Sequence, residues 1–125
     1  MPRTRSLVAG TAVLVALVAL VLAAPVVWLE LDSPPEPPVS ALADLPDDAL
    51  VTAIDKGCGS GGCWLEVSVN PGHGTPQELA DEVAPGGTVC GFRSVVDLRR
   101  VCTWTSEVGP TDVRFSVMYD RYLDL

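Results

Sequence analysis

Histidine, lysine, isoleucine and asparagine each occur once in the 125 residues, as His73, Lys56, Ile54 and Asn70, while alanine, valine, arginine, proline and glycine abound. That bias is the one expected of a GC-rich bacterial genome. The lone histidine sits between glycines in Pro71-Gly72-His73-Gly74 and reads as an exposed loop residue. No neighbouring nucleophile stands at the spacing of a triad or an elbow. No cysteine precedes Cys58, which excludes lipid attachment just beyond the N-terminal apolar run. Cys-x-x-Cys pairs are absent as well, and with them the tight knuckles of a zinc site and the usual redox motif. The glycine-rich Gly59-Ser60-Gly61-Gly62 is followed by neither Lys-Ser nor Lys-Thr, so it is not a phosphate loop. No cofactor is implied, and no set of residues specifies a reaction. The expectation is therefore a protein that is not an enzyme.

Charge is missing altogether from Leu7 to Leu29. At about 1.5 Å per helical residue such a run spans the roughly 30 Å hydrocarbon layer of a bilayer. Arg3 and Arg5 precede it and Glu30, Asp32 and Glu36 follow, an asymmetry that places residues 1–6 in the cytoplasm and the bulk of the chain outside. Trp28 falls where an interfacial aromatic would sit. The competing reading is a secretory signal: Val21, Ala23 and Ala24 offer a cut after Ala23, releasing a secreted domain. Retention is favoured because the apolar run continues through Val26, Val27, Trp28 and Leu29. Ala9, Ala12, Ala16, Ala19 and Ala23 recur at spacings of three and four, a stripe on one helix face that suits close packing against a second membrane helix. A Leu/Val/Ala-rich segment also produces such stripes by chance.

Net charge is −8, and since Arg3 and Arg5 supply two positive charges, the remainder of the chain stands at −10. That disfavours nucleic acid and anionic lipid surfaces as partners. The acids are unevenly placed: Asp44 to Pro85 holds eight against Lys56 alone, whereas five arginines balance five acids from Gly86 onward. The simplest interpretation is an acidic, solvated face.

Residues 30–48 are an acidic, proline-rich linker: Asp32–Pro38 carries four prolines in seven residues, the composition of an extended semi-rigid spacer, and Val39–Asp48 reads either as more linker or as a first turn. Residues 49–125 form the folded unit. Ala49–Asp55 and Trp64–Val69 read as strands of a hairpin with a Cys-bounded tip, although a short helix over Asp47–Ala53 is an alternative. Thr75-Pro76-Gln77-Glu78 carries a helix start, with Thr as N-cap, Pro at the first position and Glu at the third. Leu79 and Val83 give that helix an apolar face and Pro85-Gly86-Gly87 ends it. Thr88–Val96, Arg99–Glu107 and the alternating Val113–Asp120 read as further strands. The expected fold is α+β in ββαββ order, an antiparallel sheet of about four strands with one helix packed on it.

The four cysteines admit three pairings, of which Cys58 with Cys63 and Cys90 with Cys102 fit the elements best. A folded unit this small gains from such staples. A thiol–disulfide exchange role for Cys58 and Cys63 is the enzymatic alternative. Trp64, Glu66 and Ser68 share one strand face and Trp104 and Ser106 another. Lying side by side, they would make a half-apolar surface for a protein partner; the competing view is that the Trp rings fill the core or cover the disulfides. Tyr119, Tyr122 and the arginines at 93, 99, 100, 114 and 121 lie in the same half of the sequence. The functional expectation is a membrane-anchored, extracytoplasmic binding or accessory domain of a bacterial envelope.

Overall fold

The structure, a computed structural model, describes residues 2–32, 36–59 and 62–121. Tyr122, three residues of the proline spacer (33–35) and the hairpin tip at 60 and 61 lie outside them.

A 30-residue helix, α1 (Pro2–Leu31), runs through Pro25 without ending. Its apolar side chains stand almost entirely exposed, Leu7, Leu14, Leu20 and Val21 among them. Among the described residues it is the one helix long and apolar enough to cross a membrane.

The remainder is a five-stranded antiparallel sheet. The elements run β1 (Leu50–Gly59), β2 (Gly62–Asn70), α2 (Pro76–Val83), β3 (Thr88–Phe92), β4 (Arg100–Val108) and β5 (Val113–Asp120), with short 3-10 turns at Val39–Ala41 and Pro85–Gly87. The spatial order is β1-β2-β5-β4-β3. The ββαββ expectation therefore falls one strand short: three strands follow α2, and the last of them enters between β2 and β4. Two further boundaries move. β1 continues to Gly59 rather than stopping near Asp55, because its glycines and Cys58 pair directly with Gly62, Cys63 and Trp64 of β2. β3 ends at Phe92 rather than Val96, because the Ser94 N–H donates to the Asp97 carbonyl at 3.2 Å and turns the chain.

Period-two alternation explains the sheet's two faces. Leu65, Val67, Val69, Val101, Thr103, Val113, Phe115, Val117 and Tyr119 are buried on one side. Leu79, Ala80, Val83 and Ala84 of α2 and its exit pack onto them. The N-terminal capping box expected at Thr75 is present in both directions: Glu78 N–H donates to Thr75 Oγ1 at 3.2 Å, and Thr75 N–H donates to Glu78 Oε2 at 3.3 Å. The bend before α2 needs glycine at 72, where φ is +74° and a Cβ would fall 2.2 Å from the Asp48 carbonyl oxygen.

Much of the segment read as a spacer is packed. Ala41, Leu42, Ala43 and Leu45 lie against the core, the Ala43 N–H donates to Thr103 Oγ1 at 3.4 Å, and Pro37 is fully buried. The end of α1 joins the same cluster, with Leu29 only 2% exposed. Arg121 Nη2 donates to the Asp32 carbonyl at 2.9 Å and Lys56 pairs with Glu36 at 2.9 Å. The physical reason is apolar content: alanines and leucines between the prolines bury against an otherwise open half of the sheet, which an all-polar spacer could not do.

Candidate partner surface

The elements that pack on the sheet all join the cluster on one face, which leaves the other face, carrying Trp64, Glu66, Ser68, Cys102, Trp104, Arg114, Ser116 and Met118, without a covering layer from them. Register sets the neighbours: Asp55, Glu66, Ser116, Trp104 and Thr88 fall in one row across the five strands, while Cys102 sits opposite both Met118 and Cys90 in the next. Trp64 and Trp104 thus share a face, but β5 stands between their strands, so they flank Met118 and Ser116 instead of touching as next-door strands. The serine is 2% exposed, and its Oγ hydrogen-bonds Ser106 Oγ at 3.1 Å, with Ser106 donating in addition to the Arg114 carbonyl at 3.1 Å. Ser106 itself is the extra residue where the β4–β5 register shifts between Thr105 and Glu107, and its hydroxyl still reaches Ser116, the residue opposite Trp104.

Trp64 is half-buried for a local reason. Its indole lies over β1, where a Cβ on Gly57 would fall 2.4 Å from Cε2 and Nε1, and one on Gly59 3.4 Å from Cζ3. The glycines of the hairpin are the bed of the ring, so Trp64 both covers the stapled hairpin and leaves its other side on the open face. Neither of the two readings of the tryptophans is exclusive of the other here.

Both short cysteine pairings exist as disulfides: Cys58–Cys63 across the directly opposed residues at the β1–β2 tip, and Cys90–Cys102 between opposed residues of β3 and β4. Neither lies at a helix N-terminus. Disulfides are the chemistry of an oxidising compartment. Ala9, Ala12, Ala16, Ala19 and Ala23 are all exposed on α1, and Ala12, Ala16 and Ala19 share an open apolar surface with Leu7, Val8 and Val15.

At the end of the sheet next to α1, Asp97 organises the β3–β4 turn. Its carboxylate accepts from Arg99 Nε at 2.9 Å and Nη2 at 2.5 Å, with Arg93 at 3.5 Å, and the Arg99 guanidinium lies 4.9 Å from the centre of the Tyr119 ring. Arg99 holds the Asp97 carboxyl below its ordinary range, and Asp97 in turn raises Arg99. Glu36 is likewise lowered, mainly by its hydrogen bond to Lys56. At the opposite end His73 pairs with Asp48 on an exposed loop.

No group of three or more His, Cys, Asp or Glu side chains is arranged to hold a metal among the described residues. A groove of about 510 Å³ runs between residues 40–44, the end of α2 and β3, lined by Leu42, Asp44, Glu82, Val83, Phe92 and Thr103 among others. Sequence reasoning did not find the part played by Ser116 and Met118, because the strand order that interposes β5 is not encoded in any local pattern. No family model, curated protein or solved structure matches the chain.

Proposed function

We propose that the chain is a single-pass, membrane-anchored extracytoplasmic domain that binds a protein partner through the open face of its sheet. The observation that carries the binding half is the pair Trp64 and Trp104 flanking Met118 on a sheet face onto which none of the packing elements folds. Aromatic side chains and methionine with a polar rim are the composition of interface centres, and Glu66, Arg114 and Glu107 supply the rim. Support for the anchored half comes from an exposed helix with an apolar run of spanning length, arginines before that run and acids after it, joined to a disulfide-bonded domain. The role is that of an accessory or interaction module of a bacterial envelope.

The test is site-specific photo-crosslinking in the native membrane, with the full chain carrying a photoreactive residue at Glu66 or, for comparison, at Asp81 on α2. A discrete adduct from position 66, absent from position 81 and lost on Trp104→Ala substitution, is the expected result. Equal labelling from both positions, or an adduct indifferent to Trp104→Ala, refutes the surface. Mass mapping of the same material reads the N-terminus: a chain starting after Ala23 replaces the anchored reading with a secreted one. Thiols at Cys58 and Cys63 that reduce and reoxidise with the domain still folded would favour the exchange chemistry instead.

A further inference from the structure

The turn between β3 and β4 presents apolar side chains where an ordinary solvated turn carries polar ones. Val95 is 91% exposed, Val96 71% and Phe92, at the base of the turn, 63%. The turn is held as built. Arg93 N–H donates to the Arg99 carbonyl at 3.0 Å, Ser94 Oγ accepts from the amides of Val96 and Asp97 at 3.3 and 3.0 Å, and the Arg99 fork clamps Asp97 from the other side. Two valines are thus fixed outward with little freedom left to lose on contact.

Sheet register decides where this tip is. Phe92 pairs with Arg100, Arg100 with Asp120, and Arg121, the next residue, binds the Asp32 carbonyl just past α1. The tip therefore projects from the end of the sheet at which α1 leaves. Arg93 and Arg99 flank the two valines in the chain and share Asp97, while Arg100 pairs with Asp120 and Arg121 reaches the Asp32 carbonyl at the same end of the sheet. Basic side chains therefore stand at the end of the domain from which α1 leaves.

We propose that the β3–β4 turn is a second membrane contact, with Val95 and Val96 entering the headgroup–acyl boundary of a phospholipid bilayer beside α1 and the neighbouring arginines meeting lipid phosphates. This rests on the anchored reading of α1. Apolar side chains seated at the boundary with basic residues around them are the pattern of interfacial attachment, and a tether that already holds the tip at the surface makes even two valines sufficient.

The experiment uses the full chain in phosphatidylcholine vesicles, oxidised and then labelled with a polarity-sensitive fluorophore at Val95→Cys or, as the comparison, at Thr111→Cys in the turn at the opposite end. The expected result is a blue-shifted emission at position 95 that nitroxide-bearing lipids quench and aqueous iodide does not, with the reverse at 111. In the unmodified chain the Val95 amide should exchange more slowly in vesicles than in detergent, a measurement that needs no variant. A chain that stays with the vesicles through an alkaline carbonate wash while both probes report water overturns the lipid contact alone. A chain released by that wash overturns the anchored reading and this inference with it.

Discussion

Gly57→Ala is the substitution whose outcome most directly tests how the open face is built. The added methyl would stand 2.4 Å from the Trp64 indole, so the ring must leave its bed on β1. A buried Trp covers about 150–250 Å²; losing roughly 80 Å² of that at about 25 cal/mol per Å² costs about 2 kcal/mol. Gly57 has no positive φ, so alanine fits the strand backbone and returns about 0.5–1 kcal/mol of chain entropy. The net is a loss of about 1–1.5 kcal/mol, a fall of roughly 5–10 °C in Tm for a domain of this size, read by circular dichroism in detergent. The decisive arm is the double-mutant cycle. In a Trp64→Ala background the clash is gone and only the backbone gain survives, so Gly57→Ala should there raise Tm. The same loss in both backgrounds would mean that Trp64 does not lie over Gly57, and the account of the hairpin would be wrong.

Replacing Cys58 and Cys63 by alanine opens a loop of separation 5, and replacing Cys90 and Cys102 one of separation 12. Loop entropy gives about 2 and about 3 kcal/mol respectively, so the second pair should cost more in denaturant midpoint, and the opposite ranking would contradict that account. Asp97 links stability to pH: its carboxyl is depressed in the fold by Arg99, so its contribution is complete above its unfolded value near 3.9 and drains away as pH falls through the folded one. Asp97→Asn should cost about 1 kcal/mol in a gap from the unsubstituted chain that is flat from pH 5 to 8 and closes below pH 4; a gap that widens on acidification would refute the ion pair.

What was legible in the sequence was whatever a short window encodes. The capping box at Thr75 and Glu78, the alternation of Val113 to Tyr119 and the spanning length of α1 each depend on residues within a few positions of one another, and each appears in the fold with its expected bounds or nearly so. One feature failed to show because it depends on partners distant in the chain. The placement of β5 between β2 and β4 is chosen by which apolar faces bury together, and nothing in Val113–Asp120 says so. That placement is also what separates Trp64 from Trp104 on the candidate surface. β3 was overextended because Val95 and Val96 are β-branched and favour a strand, whereas the Ser94 and Asp97 side chains close a turn around them. Propensity lost to local hydrogen bonding.

The packing of residues 36–48 is hidden from composition for a different reason, and it bears on how the domain is carried. Prolines at 34, 35, 37 and 38 disfavour helix and sheet, but they do not prevent burial, and Pro37 and Leu29 are both in the interior. On the anchored reading, Leu29 cannot be in lipid and in the protein core at once. The lipid-facing run then ends at Trp28, leaving 22 residues from Leu7, or about 33 Å of helix, still enough for the hydrocarbon layer. A domain held by Leu29, by Arg121 on the Asp32 carbonyl and by Lys56 on Glu36 has little room to swing about its anchor. If the chain is anchored as proposed, the same few contacts set which end of the sheet faces the bilayer and turn the Trp64–Trp104 face to the side, so a photo-crosslink from position 66 should be to a protein of the same membrane.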